Sequence, residues 1–311
     1  MIKRFKLPIM LICTLLMTFS VVSGQDNDDS AFRPFASTVV TLDDVTLELY
    51  FDEILQGRVG LLHVSGAEVA GARVLFMNKE NDFFPIENDG YYGLLTIGMN
   101  QTPRTYDFSV LVWKTDGTRV TVPAQVRVVL GGFIRQDFSV SADRAYLIDP
   151  QIERTEFARL DSIVGQFTTE RLWGNDGFQN PMDSELTSPF GAFRIFNETV
   201  ETRHTGWDFR APVGSPVASM ADGRVAFAGL LDIRGNHVII DHGYGVFSTY
   251  SHFSQTHVTN GQTVTRGQIL GVSGNSGRST GPHLHWEVVV NGYWVDSADF
   301  LAMWLPRERE D

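Results

Sequence analysis

The feature that most constrains this chain is a short run near its C-terminal end in which histidines alternate with apolar residues. His283, Leu284, His285 and Trp286 are soon followed by three valines, at residues 288–290. A glycine-rich loop precedes them, and a turn that leads into such an apolar run predicts a buried β-strand. Residues two apart on a strand point to the same face, so His283 and His285 lie side by side. Two adjacent imidazoles on a stiff strand suit either metal binding or proton transfer.

The N-terminal end has the pattern of a cleavable secretory signal. Lys3, Arg4 and Lys6 precede an apolar run, and small residues follow that run before the chain turns polar. The apolar run is shorter than the stretch of about 20 residues that a membrane span needs. We therefore predict a signal peptide over residues 1–24 and a protein that is secreted or held in the cell envelope, outside the cytoplasmic membrane. An uncleaved signal that tethers the protein to the membrane is the alternative.

Cysteine content and charge narrow the chemistry. The single cysteine, Cys13, lies inside the predicted signal, so the exported protein has no disulfide. Any metal site in it must use His, Asp or Glu ligands. The formal net charge is −12 at pH 7, and no basic patch stands out against this acidity. A nucleic-acid partner is therefore not expected.

The hydrophobic pattern divides the rest of the chain into two β-rich regions joined by a helix. Residues 25–37 are polar and are predicted to be a linker. Residues 38–141 contain short β-prone runs between turn residues, which predicts an immunoglobulin-like β-sandwich. His63 stands alone in this region, and a single histidine on a strand is more often a surface or satisfied structural residue than a ligand.

A helical period marks the connection, and a second β-rich region follows it. Apolar residues recur at helical spacing between Asp149 and Phe167, and Pro150 fits the first turn because its missing N–H costs nothing there. We therefore predict a helical linker over residues 142–187. Residues 188–305 contain further strand-like runs, which predict an antiparallel β-sheet domain with an open groove.

Seven of the eight histidines fall in this second region, which makes it the candidate site of chemistry. His204 and Asp208 lie four positions apart, and Gly206 between them favours a turn that enters a strand. Alone, such a pair is more often an ordinary surface pair. Together with His285 they supply two imidazoles and one carboxylate, the usual protein ligands of a catalytic zinc with one position open to water. Zinc held in this way lowers the pKa of bound water towards about 7 and polarises a carbonyl group.

Two further histidines are candidates for proton transfer beside such a metal. His283 shares a strand face with His285, and His252 ends another apolar strand and can approach from the other side. Glu287 lies on the same strand face as His285 and is a candidate to orient it. The glycine-rich stretch at residues 271–277 lacks the lysine and the helix of a phosphate loop.

The remaining candidates carry weaker signals. Ser279 or Thr280 is placed to touch a substrate beside the histidines. His242 is a candidate to support the site, although its neighbours favour a turn residue. His237 and His257 are assigned to structure or surface.

Three segments resemble, in the same order, the signatures of the lysostaphin/LytM-type zinc endopeptidases. They are HTGWD at residues 204–208, YSH at residues 250–252 and GPHLHWE at residues 281–287. The sequences at 188–191 and 260–271 are similar to flanking parts of the same catalytic domain. The resemblance covers residues 188–305 and leaves out the first β region.

This resemblance implies an activity and a set of roles. It implies that His204, Asp208 and His285 bind one Zn2+ ion, while His252 and His283 act on the water and on the tetrahedral intermediate. Such enzymes cut the peptide cross-links of bacterial peptidoglycan, so we expect a secreted zinc metalloendopeptidase with peptidoglycan peptides as substrate. All five positions hold the expected residue, which argues against the family's inactive members.

Two non-enzymatic functions are the alternatives. The first is a wall-binding protein, or an activator of other wall hydrolases, that retains the metal. The second is an adhesin-like interaction protein built around the sandwich, and it leaves the histidine set unexplained.

Overall fold

Buried and more exposed side chains alternate most clearly in the strands at residues 45–49, 105–114 and 119–129 of the first β region. The structure is a computed structural model and describes residues 33–308. The signal predicted over residues 1–24, and most of the linker predicted over residues 25–37, lie outside these residues. The strands of this region are β1 (Thr38–Leu42), β2 (Val45–Leu49), β3 (Glu53–Leu55), β4 (Val59–Gly66), β5 (Val69–Phe76), β6 (Lys79–Asp82), β7 (Phe84–Ile86), β8 (Gly90–Thr96), β9 (Thr105–Lys114), β10 (Arg119–Val129) and β11 (Arg135–Phe138).

Two five-stranded sheets of this region share one core. Their strand orders are β1-β2-β4-β8-β7 and β3-β10-β9-β5-β6. Leu47 and Leu62 of the first sheet are buried in the same cluster as Val74 and Val110 of the second. Burial of apolar side chains between two sheets is what stabilises this layered arrangement. The prediction of a mainly β fold is confirmed, and the immunoglobulin-like topology stays a prediction.

The predicted connecting helix is present. A 3-10 helix (Ala142–Ile148) precedes α1 (Pro150–Val164). Asp149 caps α1, because its carboxylate accepts a hydrogen bond from the N–H of Gln151. Leu160 and Val164 are buried on one face of the helix, in a cluster that includes Val289 of the second β region. The apolar period of the sequence therefore corresponds to the face that α1 packs against the sheet.

A large antiparallel sheet forms the second β region. Its main strand order is β12-β15-β22-β19-β18-β17-β20, to which β16, β21 and β23 are attached, and β11, β13 and β14 form a separate small sheet. The elements are β12 (Leu186–Ser188), β13 (Phe193–Phe196), β14 (Val200–Arg203), β15 (Trp207–Arg210), β16 (Pro216–Ala218), β17 (Gly223–Leu231), β18 (Gly235–Gly243), β19 (Val246–Thr256), β20 (Thr263–Val264), β21 (Ile269–Ser273), β22 (His283–Val290), β23 (Tyr293–Val295) and α2 (Ser297–Ala302).

The register of the large sheet aligns three strands at one level. Asp208 of β15 pairs with His285 of β22, and His285 pairs in turn with Ser251 of β19. Residues that lie opposite each other on neighbouring strands have closely spaced side chains. This row therefore places an acidic residue, a histidine and the residue before His252 side by side.

The two β regions are joined by continuous packing. Phe84 of the first sheet contacts Trp173 and Tyr244, with ring centroids 5.2 Å and 5.7 Å away. Strand β11, inside the predicted sandwich, pairs in parallel with β13. Residues 33–308 accordingly belong to one compact unit, and the domain limits drawn from the sequence stay predictions. No helix among these residues is long and apolar enough to span a bilayer.

Candidate metal centre

Three side chains converge on one point of the large sheet. The Nε2 atom of His204 lies 3.1 Å from Oδ1 of Asp208 and 3.0 Å from Nδ1 of His285. The last two atoms are 2.9 Å apart. A tetrahedral zinc with bonds of about 2.0–2.1 Å separates its ligand atoms by about 3.3 Å. The three atoms are therefore spaced to share one ion with little movement.

In His204 and in His285, one ring nitrogen donates a hydrogen bond, and this determines that the other nitrogen carries the lone pair. Nδ1 of His204 is 2.7 Å from the carbonyl oxygen of Pro189, so this nitrogen donates a hydrogen bond. Nε2 of His285 is 3.2 Å from a carboxylate oxygen of Glu287 and donates likewise. When both rings are neutral, each turns a lone pair towards the carboxylate of Asp208. Three electron-rich atoms at such distances repel one another, and a cation between them removes the repulsion. The donor set fits zinc on this ground.

Burial and neighbouring charges set the protonation of the three residues. Burial lowers the pKa of His204 to about 4. Burial opposes ionisation of Asp208, but His204 and Arg194 hold the pKa of its carboxyl well below the usual range. Burial also acts to lower the pKa of His285, yet the carboxylates of Glu287 and Asp208 raise it. A metal therefore meets an ionised Asp208 and a neutral His204, and it competes with a proton at His285.

Two more imidazoles stand beside this cluster. Nδ1 of His252 donates to the carbonyl of Ser276 at 2.7 Å, and Nδ1 of His283 donates to the carbonyl of Gly281 at 2.8 Å. Their ring centroids are 4.6 Å apart. Burial lowers the pKa of both residues, so both are neutral at pH 7. Each neutral ring keeps a lone pair on Nε2, and each can accept a proton there.

A β-bulge directs His252 towards the cluster. The pairing of β18 with β19 shifts its register near this residue, and the backbone of His252 has a φ of 65°. Positive φ is uncommon outside glycine, and bulges often re-aim a side chain beside a functional site. The N–H of His252 donates to the carbonyl of Arg234 at 2.9 Å, which holds the bulge in place. As a result the ring centroid of His252 lies 6.0 Å from that of His285.

Gly206 explains how Asp208 comes close to β22. A Cβ atom at Gly206 would lie only 2.2 Å from the carbonyl oxygen of Trp286. Any other residue at this position would push the start of β15 away from β22. The glycine between His204 and Asp208 is thus required by the close approach of two backbones.

The structure brings together all five site residues that the sequence predicted: His204, Asp208, His252, His283 and His285. Their roles as ligands and proton carriers stay predictions.

The structure also places the other residues that the sequence singled out around the five site residues. Glu287 contacts His285, in keeping with its place on the same strand face. Ser279 lies with its hydroxyl 3.1 Å from Nδ1 of His283, so its observed contact is with a site histidine. His237 is buried, and His257 is exposed.

The prediction for His242 was wrong in both of its forms. This residue lies within β18 and not in a turn. Its ring nitrogens bond to the carbonyl of Asp222 at 2.7 Å and to the hydroxyl of Ser248 at 2.8 Å. Neither partner belongs to the metal centre, so His242 is a buried structural residue.

Residues to which the sequence assigned no role complete the surroundings of the site. The guanidinium of Arg194 bonds to the second carboxylate oxygen of Asp208 and to the hydroxyl of Ser188. Thr205 and Thr249 donate their hydroxyl protons to Glu287. Thr205 and Ser188 lie inside the segments that resemble the family, whereas Arg194 and Thr249 lie outside them.

A cleft of about 350 Å³ opens beside the histidines. His252, His283 and Asp208 are among the residues that line it. Gln136 and Phe138 of β11 line it as well, so the last strand of the first β region forms part of its wall. The cleft therefore exposes Asp208, His252 and His283 to a molecule that enters it.

Two imidazoles and a carboxylate around one point, with two further imidazoles at a cleft, could hold a single metal ion in the arrangement of a catalytic site. Comparison with known proteins identifies the domain that carries it. Residues 202–297 match Peptidase family M23 and form a domain of that family. The resemblance predicted from the sequence is thereby confirmed.

Two curated proteins illustrate the relationship. The peptidoglycan DD-endopeptidase ShyA of Vibrio cholerae is 43% identical over 120 residues, which cover 38% of this chain and 28% of that protein. The DD-carboxypeptidase/endopeptidase Mpg of Neisseria meningitidis is 43% identical over 114 residues, which cover 36% of this chain and 26% of that protein. The chain therefore spans less than a third of the length of either relative.

A solved structure is similar over much more of the chain. A peptidase M23 of Pseudomonas aeruginosa aligns with a TM-score of 0.61 at 28% identity, covering 79% of this chain and 94% of that one. This extent goes beyond the M23 domain. A comparable arrangement of a first β region with an M23 domain thus exists in that protein.

Proposed function

We propose that this protein is a zinc metalloendopeptidase that hydrolyses peptide bonds in the cross-linked peptides of bacterial peptidoglycan. The observation that carries the proposal is the convergence of His204, Asp208 and His285 next to a cleft that presents His252 and His283. The names of the M23 relatives, as peptidoglycan endopeptidases, support the substrate class. A substrate outside the cytoplasm agrees with the secretory signal predicted from the sequence and with a place in the envelope.

The chemistry follows from the states of the side chains. His204, Asp208 and His285 would hold the zinc ion, which supplies a polarising charge and a water of lowered pKa. His252 and His283 are neutral, with free lone pairs at the cleft, so they can take the proton of the attacking water. Once protonated, they can donate to the oxygen of the tetrahedral intermediate and return the proton to the leaving amine.

The proposal also assigns a role to the first β region. We infer that the region predicted as an immunoglobulin-like sandwich over residues 38–141 positions the catalytic region over residues 188–305 and limits access to the cleft. Gln136 and Phe138 in the cleft wall support this role. Helix α1 would hold the two regions at a constant angle, because it packs on the large sheet.

Hydrolysis of purified peptidoglycan tests the proposal directly. The protein with zinc should release peptide fragments with new amine and carboxyl ends, and mass spectrometry of the fragments identifies the bond that is cut. Removal of the metal by a chelator should abolish release, and zinc should restore it. Intact peptidoglycan in the presence of zinc, or cleavage that survives chelation, would contradict the proposal.

Two variants separate the assigned roles. His283→Ala should retain zinc while the rate falls by about 10²–10⁴-fold, because that is the usual contribution of a positioned acid or base. His285→Ala should lose the metal together with the activity. Unchanged zinc content and activity in His285→Ala would remove this residue from the ligand set.

A further inference from the structure

Helix α1 lies outside the segment that matches the M23 family, yet it sends a carboxylate into the catalytic region. The side chain of Glu156 is only 3% exposed. It accepts hydrogen bonds from the backbone N–H groups of Ile233 at 2.7 Å and Arg234 at 3.2 Å. A buried carboxylate is tolerated only where charged and hydrogen-bonded partners compensate its lost hydration. Glu156 therefore holds the turn between β17 and β18 in one position.

The guanidinium of Arg234 lies between two buried carboxylates. It donates to Glu156 at 3.2 Å, and it donates to both oxygens of Glu287 at 3.2 Å and 2.7 Å. Such a two-point contact fixes orientation as well as distance. The ring of Phe157, the neighbour of Glu156 on α1, covers the guanidinium at 4.8 Å. Two consecutive residues of α1 thus hold this arginine.

Arg234 connects α1 to two residues of the metal centre. Glu287, which it orients, lies 3.2 Å from Nε2 of the candidate ligand His285. The backbone carbonyl of Arg234 accepts the N–H of His252 at the bulge, at 2.9 Å. Movement of this arginine would therefore disturb a candidate metal ligand and a candidate proton carrier together.

We propose that Glu156 is a positioning residue for the metal centre, acting through Arg234 and Glu287 on His285. The inference rests on the proposed zinc site. Without the charge of Glu156, Arg234 keeps a single carboxylate partner and draws Glu287 towards itself. Glu287 then holds Nε2 of His285 less firmly, and the ring loses the orientation that turns Nδ1 towards the metal.

Zinc affinity is the measurement that tests this inference, because a purely structural role of the helix would leave it unchanged. We expect Glu156→Gln to weaken zinc binding by about tenfold in competition with a chromophoric chelator, within the range for residues that support metal ligands. Asp161→Asn removes one carboxylate from an exposed position of the same helix and should bind zinc as the wild type does. In a protein that already carries Glu287→Gln, Glu156→Gln should reduce the zinc affinity by less than it does in the wild type, because Glu156 acts on His285 through Glu287.

A second variant covers the case in which Glu156→Gln does not fold. Arg234→Lys keeps the charge but cannot bridge two carboxylates in the same way, so a similar loss of affinity is expected. Wild-type affinity in a folded Glu156→Gln or Arg234→Lys protein would overturn the inference, even if the metal-free protein were less stable.

The outcomes also distinguish this inference from the proposed function. A wild-type protein that binds zinc, with weaker binding in Glu156→Gln, but leaves peptidoglycan intact would support the inference and overturn the hydrolase. A wild-type protein that binds no zinc would overturn both.

Discussion

The histidines of this protein differ in the role that each can take, because their ring nitrogens have different hydrogen-bond partners. His204 and His285 use one nitrogen for a carbonyl or a carboxylate, and they turn the other towards Asp208. His242 has both nitrogens occupied by structural partners. The same residue type is therefore a candidate ligand at two positions and part of the core at another. Sequence spacing reveals only the contact of His285 with Glu287, two positions away on the same strand, because Pro189 and Asp222 lie in other segments of the chain.

His242 leads to a prediction about acid stability. Burial lowers the pKa of this residue from 6.5 to about 4 in the folded protein. The unfolded chain therefore binds a proton more readily than the folded protein between these values. The stabilising effect of neutral His242 is complete above about pH 6.5 and is lost as the pH falls towards 4. The loss is about 3 kcal/mol, since one pKa unit corresponds to about 1.4 kcal/mol.

Urea unfolding of the metal-free protein at pH 7 and pH 4 measures this loss. In His242→Asn, which retains a donor near the carbonyl of Asp222, the decrease in unfolding free energy between the two pH values should be smaller by about 3 kcal/mol. The other buried histidines titrate in both proteins, so they cancel in the comparison. An equal decrease in both proteins would show that His242 does not resist protonation.

At the scale of secondary-structure elements, local hydrophobic patterns in the sequence predicted the type of most of the strands and of helix α1. The valine run at residues 288–290 lies in β22, because a continuous apolar run favours a buried strand. The period that begins at Asp149 corresponds to α1 as far as Val164, where the helix ends before Phe167. The bulge at His252 was not predictable, since it depends on how β18 and β19 pair.

The approach of β15 to β22 gives a prediction at this scale. In Gly206→Ala the added methyl group would collide with the carbonyl of Trp286 and separate Asp208 from His285. We expect a loss of about 1–3 kcal/mol in unfolding free energy, the usual cost of forcing an extra carbon into packed structure, together with weaker zinc binding. Gly281→Ala is the matched control, because a Cβ there has no neighbour within 4 Å. Equal stability of the two variants in chemical denaturation would contradict this account of Gly206.

At the scale of the whole molecule, the two β regions share a core, so their stability should be coupled. Phe84 of the first region is 1% exposed and lies in the same cluster as Trp286 of the large sheet. We expect Phe84→Ala to lower the unfolding free energy by about 3–5 kcal/mol. A single unfolding transition should shift as a unit, whether it is followed by fluorescence or by retained zinc.

The control for this experiment is Leu130→Ala, also in the first region, where the side chain is 73% exposed. Its stability should stay within about 0.5 kcal/mol of the wild type. Two separate transitions in Phe84→Ala, only one of them shifted, would show that the β regions unfold independently.

The sequence by itself determined the strands, the connecting helix and the five clustered site residues. Local apolar periods and short motifs carry that information, because a strand or turn depends mainly on nearby residues. Only the tertiary structure decided which buried charges support the site. Glu156 and Arg234 are 78 positions apart, and Arg234 and Glu287 are 53 positions apart. A buried charge is stable only beside compensating partners. These partners are distant in sequence and become neighbours only on folding, so no local sequence pattern predicts them.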